Sequence, residues 1–215
     1  MGHHWVVLSR HAVAITLFDC CCAAGMNHAS QDLDGNGVVD ATDIEYGDSS
    51  DPLGSQSNFK RFNAVHRYEK GWFHAANIGT NLAGAVTLTS ASVVGSTPSA
   101  LGLIRLTRST MTDSYWISLR TAYGPYDSTL PSDWANVVYV HRWASGNTKM
   151  ITRLAAGQYF NDIANNMSVT VNSIDTVANT AALVLYSTAV PIARPRSLLP
   201  LLSRSMTAMQ LQQQI

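Results

Sequence analysis

SYWISLR at residues 114–120 and ANVVYVHRW at residues 135–143 are runs of β-branched and aromatic residues bounded by turn formers. Such runs, several alternating apolar and polar with period two, predict half-buried strands. The same signature recurs at AVTLTSASVV (85–94), ALGLIRLT (100–107), MSVTVNSI (167–174) and AALVLYS (181–187), with Gly, Pro, Asn, Asp and Ser between the runs. Several short strands at this spacing predict a mainly β fold, an antiparallel β-sandwich over residues 79–188.

Outward from that region the chain changes character. Residues 25–58 are rich in Gly, Asp and Ser, and residues 59–78, FKRFNAVHRYEKGWFHAANI, predict a short helix ending at Gly71. Residues 1–24 are irregular. Residues 189–215 carry Pro191, Pro195 and Pro200 and end in glutamines, the composition of a disordered tail.

Composition bounds the class. The chain has 215 residues, 46% hydrophobic and 13% charged, which is a globular composition. Its net charge of zero is unevenly placed: eight acidic residues and no Lys or Arg lie between His11 and Phe59, whereas thirteen basic and six acidic residues follow from Lys60 onward. The acidic segment suits a cation. The basic surplus forms no cluster, so nucleic acid is not expected as a partner. Cys20, Cys21 and Cys22 are adjacent, a geometry that closes no disulfide and lacks the two-residue spacer of a thiolate metal clip. The apolar run Ala12–Phe18 has the length of a signal-peptide core and falls far short of the about 20 residues a membrane span needs.

Within the acidic segment, Asp32, Asp34, Asn36, Gly37, Val38, Asp40 and Asp43 occupy positions 1, 3, 5, 6, 7, 9 and 12 of a twelve-residue calcium loop. Oxygen ligands at alternate residues can wrap one hard cation, and glycine at position 6 permits the turn. Position 12 has Asp in place of Glu, and no entering helix fits before Asp32. The expectation is a weak calcium site with Asp32, Asp34, Asn36, Val38, Asp40 and Asp43 as ligands; the alternative is a solvated loop. Glu45, Asp48 and Asp51 are candidates for capping turns. Asn166-Met167-Ser168 is the only glycosylation sequon.

Gly25-Met26-Asn27-His28 has the spacing that closes a metzincin zinc motif, in which two histidines one helical turn apart precede a glycine break and a third histidine. Together with EYGDSSDPLG (45–54) and FNAVHRYEKGW (62–72), it resembles the gametolysin family of zinc metallopeptidases. YWISLRTAYGPYD, VVYVHRW and LAAGQYF extend the resemblance through roughly residues 25–187. It implies a remnant of a metzincin-like catalytic domain at 25–78 ahead of the β-domain. By the same resemblance His28 is the third zinc ligand, Asp51-Pro52-Leu53-Gly54 is the turn beneath the metal with Leu53 where the family has Met, and Gly25 and His66 are structural or supporting residues. A secreted endopeptidase acting on extracellular protein or glycoprotein is the implied activity, with zinc as cofactor.

In register with the other zinc-site positions stand Phe18 for the first ligand, Asp19 for the base and Cys22 for the second ligand. Cys22 can donate a thiolate, but Phe18 has no donor atom, so the expected zinc site is weak and the expected hydrolase defective. Only 24 residues precede Gly25, too few for the upper wall of such a cleft, and the reading is of a fragment whose first 24 residues are foreign. The alternative of another class is a noncatalytic, calcium-stabilised β-sandwich binding module.

Overall fold

The computed structural model describes residues 28–36, 40–54, 60–95, 97–109, 111, 113–144 and 147–188. The leader with Phe18, Asp19, Cys22 and Gly25, the loop residues Gly37 and Val38, and the tail lie outside the described residues.

Two sheets form the molecule. The larger contains β1 (Ala29–Gln31), β7 (Asn147–Leu154), β6 (Val137–Ala144), β5 (Ser114–Arg120), β4 (Leu103–Thr107) and β2 (Ile78–Thr80), in that order. The smaller runs β3 (Gly84–Thr89), β10 (Thr180–Ser187), β9 (Met167–Asp175), β8 (Tyr159–Asp162). Their facing sides interleave Leu88, Ile104, Ile117, Val140, Val169 and Leu183, among others, in one buried core. The mainly β expectation therefore holds.

The large sheet is not purely antiparallel: its edge strands β1 and β2 run parallel to β7 and β4. Parallel neighbours need long crossovers, and here the chain between β1 and β7 passes through most of the fold. β1, β2, β7 and β8 were not among the predicted strands. NTKMITRL, the β7 sequence, mixes Lys and Arg into a strand because its charged side chains find partners at the sheet's rim: Lys149 pairs with Asp43 and Arg153 with Asp133.

Strand β5 is buried along its whole length, because its second face is covered as well. Ser114, Trp116, Ser118 and Arg120 occupy the face away from the sandwich core, under a layer built from residues 28–36, 40–54 and 60–78. Helix α1 (Ala64–Glu69) lies in that layer and is shorter than the segment predicted for it. Asn63 caps its start by accepting from the His66 N–H at 2.9 Å. Gly71, at φ +69°, ends it in a left-handed turn, with its N–H donating to the Tyr68 carbonyl at 2.9 Å. Ala64, Val65, Phe73, Leu103 and Trp116 pack together beneath the helix. A one-turn helix α2 (Gly124–Asp127) brings buried Asp127 to the same face. Among the described residues, β1 therefore pairs with β7, and Ala64, Val65 and Phe73 share a core cluster with Leu103 and Trp116 of the β-domain.

Candidate metal centre and its supporting turn

His28 stands at the entrance of β1, where its carbonyl accepts from the Thr148 N–H at 3.3 Å and seats the strand on β7. Gln31 and Ile44 exchange backbone bonds of 2.9 and 2.8 Å, so residues 40–46 fold back along β1 and bring Glu45 and Tyr46 to the histidine. Nδ1 of His28 lies 2.7 Å from Glu45 Oε1, and Nε2 lies 2.8 Å from the Tyr46 hydroxyl. A carboxylate only accepts, so Nδ1 donates to Glu45, while Nε2 shares a hydrogen bond with the Tyr46 hydroxyl. A carboxylate on one ring nitrogen is how metal-ligating histidines are oriented.

The described residues do not by themselves fit a zinc ion. Among them no group of three His, Cys, Asp or Glu side chains is gathered to hold a metal, and the His28 nitrogen suited to ligation is occupied by Tyr46. Cys22, the other expected zinc ligand, lies outside the described residues.

Beneath His28 runs the segment 48–54. The Ala29 N–H donates to the Leu53 carbonyl at 3.3 Å and the Asp48 N–H to the Ala29 carbonyl at 3.1 Å. Leu53, 3% exposed, packs on Ala29 with Phe62 beside it, so the leucine fills its position by packing alone. Gly54 leaves no space for a side chain: a Cβ there would stand 2.2 Å from the Asp48 carbonyl oxygen and 2.6 Å from that of Ala29. Pro52 begins the final turn of this segment, closed by the Gly54 N–H on the Asp51 carbonyl at 3.0 Å.

Two buried aspartates hold the turn from within. Asp51 accepts from the Leu53 N–H at 2.7 Å, the Asn63 N–H at 2.6 Å and His66 Nδ1 at 2.9 Å. Asp48 accepts from the Ser50 N–H and hydroxyl at 2.9 and 2.6 Å, from Asn63 Nδ2 at 3.3 Å and from His141 Nε2 at 3.0 Å. Asn63 therefore touches both anions while capping α1. The turn's carbonyls are held too, with Lys60 Nζ donating to Ser49 at 2.7 Å and Arg120 donating to Ser50 at 2.9 Å and pairing with Asp127.

These contacts show in the electrostatics. Burial alone would push the Asp48 carboxyl up, but the hydrogen bond and charge of His141, with the Ser50 donors, outweigh it and hold the group at about 2. For His66, burial opposes the charge, yet the Asp51 charge and hydrogen bond, helped by Asp48 and Glu69, raise its pKa above the ordinary value. An Asp–His pair is a common catalytic device. Here His66 and His141 are 0% and 1% exposed, so neither reaches a substrate and both serve to fix the turn.

In the acidic loop, Asp34, Asn36 and Asp40 come together: Asn36 Nδ2 donates to Asp34 Oδ2 at 2.8 Å and to Asp40 Oδ2 at 3.0 Å. The hydroxyl of Thr42 and the Asn36 amide hold the Asp40 carboxyl down at about 2. The last position touches this group through the Asp40 N–H, which donates to Asp43 Oδ2 at 3.2 Å. Asp32 is buried and accepts from the Gly35 N–H at 2.7 Å, and Asp43 is turned to the Lys149 ammonium.

Sequence reasoning left out Asn63, Arg120, Asp127 and Lys60. Only Asn63 had a local signal, as a capping residue ahead of an apolar helical run. The other three act through contacts far away in the chain. No protein-family model, no curated protein and no solved structure matches this chain.

Proposed function

We propose that the chain carries the C-terminal part of the catalytic domain and the following β-domain of a gametolysin-like zinc metalloendopeptidase, a secreted enzyme class acting on extracellular protein or glycoprotein, and that in this form it is catalytically defective. The carrying observation is the backbone bond from Ala29 to Leu53, with the packing of Leu53 on Ala29. It sets the Asp51-Pro52-Leu53-Gly54 turn directly against the strand headed by His28, as a zinc-ligand histidine and its supporting turn require. Phe18, Asp19 and Cys22, where the resemblance calls for His, Glu and His, leave too few ligands and no proper base for turnover. Zinc analysis and casein cleavage test this. The natural chain holds no stoichiometric zinc and cuts nothing, whereas the combined variant Phe18→His, Asp19→Glu, Cys22→His gains a zinc that His28→Ala removes. A combined variant without zinc refutes the family reading; tight zinc on the natural chain, lost on His28→Ala, refutes the defect.

A second reading, a calcium-stabilised noncatalytic module, is favoured by the convergence of Asp34 and Asp40 on the Asn36 amide. There a neutral N–H donor group lies between two carboxylates, and an oxygen-seeking cation supplies the same neutralisation more strongly.

A further inference from the structure

We infer that Asn166 is the acceptor of an N-linked glycan, an inference that rests on the extracellular reading above for its biological setting. Asn166-Met167-Ser168 is the one sequon of the chain, and the fold treats its residues in a telling way. A 3₁₀ turn, Ile163–Asn165, follows β8, and Asp162 caps it by accepting from the Asn165 N–H at 3.1 Å. Asn165 is buried, 1% exposed, and spends its side-chain amide on Asp162 at 2.7 Å. Asn166, the next residue, is exposed and adopts the left-handed conformation, φ 51° and ψ 52°, with its backbone N–H on the Ile163 carbonyl at 3.2 Å. Of two adjacent asparagines, one is committed inward and the other stands at the tip of a turn.

The remainder of the sequon is arranged compatibly. Met167 is 1% exposed in the sandwich core and anchors the start of β9, so Ser168 faces away from the core, paired across the sheet with Tyr186 and Asn161. A glycan at Asn166 therefore displaces no packed group. Beside it Ile163 is 80% exposed, an apolar side chain that the first sugar's hydrocarbon face covers. No Lys or Arg occurs between Arg153 and Arg194, so no basic side chain of this stretch competes for the surface around Asn166.

The donor is a lipid-pyrophosphate-linked oligosaccharide. The Asn166 amide nitrogen forms a bond to its anomeric carbon, the carbon–oxygen bond to pyrophosphate breaks, the lipid pyrophosphate leaves with the electron pair, and the amide loses one proton. The test translates the full chain, preceded by an added signal peptide, into endoplasmic-reticulum microsomes and scores the protease-protected product. The expected result is a single mobility increment, removed by peptide N-glycosidase with Asn166 converted to Asp, lost in Asn166→Gln and Ser168→Ala and kept in Ser168→Thr. The glycosylated chain melts at the same temperature as Asn166→Gln. A protected but unmodified chain, or a glycan that lowers the melting temperature, overturns the inference. Because the signal is supplied, that failure is separate from failure of the extracellular or zinc reading.

Discussion

Replacing Asp48 by alanine removes four acceptor contacts at once from a fully buried site. His141 Nε2 at 3.0 Å, the Ser50 N–H and hydroxyl at 2.9 and 2.6 Å and Asn63 Nδ2 at 3.3 Å all lose their partner. Breaking a buried ion pair by deleting one member costs about 3–5 kcal/mol, because the survivor is left desolvated and unpaired. For a chain of this size each kcal/mol lowers the melting temperature by about 2–4 °C, so Asp48→Ala should melt about 6–20 °C below the natural chain. Asp133→Ala is the control: its exposed pair with Arg153 should be worth at most about 1 kcal/mol. The acid limb of the stability curve provides an independent reading. The Asp48 carboxyl is held at about 2 against an ordinary value of 3.8. Since the folded pKa is the lower, its contribution is complete above pH 4 and is lost as pH falls through 2, about 2 kcal/mol by linkage. Circular-dichroism melts from pH 7 down to 2 should show that loss in the natural chain and a reduced one in Asp48→Ala. A variant that melts within the about 0.5 kcal/mol of a surface substitution refutes the argument that this anion organises the turn.

The second buried pair sets the opposite limb. His66 has a raised pKa, so its contribution is complete below the ordinary 6.5 and disappears as pH rises through the folded value; urea midpoints should decline there, and His66→Gln should flatten that decline. Gly54→Ala forces a Cβ onto two carbonyl oxygens and should cost about 1–3 kcal/mol; a neutral result in urea unfolding contradicts the close approach of the turn to β1. For the acidic loop, calcium a hundredfold above its dissociation constant should stabilise the chain by about 2.7 kcal/mol, an effect absent in Asp34→Ala. Equal melting of the natural chain in millimolar calcium and in chelator shows a solvated loop instead.

Residue order alone determined the sandwich, because a strand with one apolar face writes its period of two into the local sequence, as in SYWISLR and MSVTVNSI. It also determined a short helix ending at Gly71, though the helix is shorter than the segment 59–78, and the positions at which His28 and the Asp51–Gly54 turn follow one another. Tertiary structure decided the parallel edge strands, since β1 is three residues long and exists through its bonds to a strand more than a hundred residues away. It decided, too, that Asp43 pairs with Lys149 while Asp34 and Asp40 share the Asn36 amide. A carboxylate in a string of carboxylates carries no local mark of which one will face a cation. Above all it decided the fate of Asp48 and Asp51. In the sequence they are two acidic residues in a Ser-rich turn; in the fold His141, His66, Asn63 and Arg120, drawn from β6, α1 and β5, reach the turn and make it affordable to bury them. Burial of a charge depends on partners brought from a distance, and short-range patterns do not record those partners.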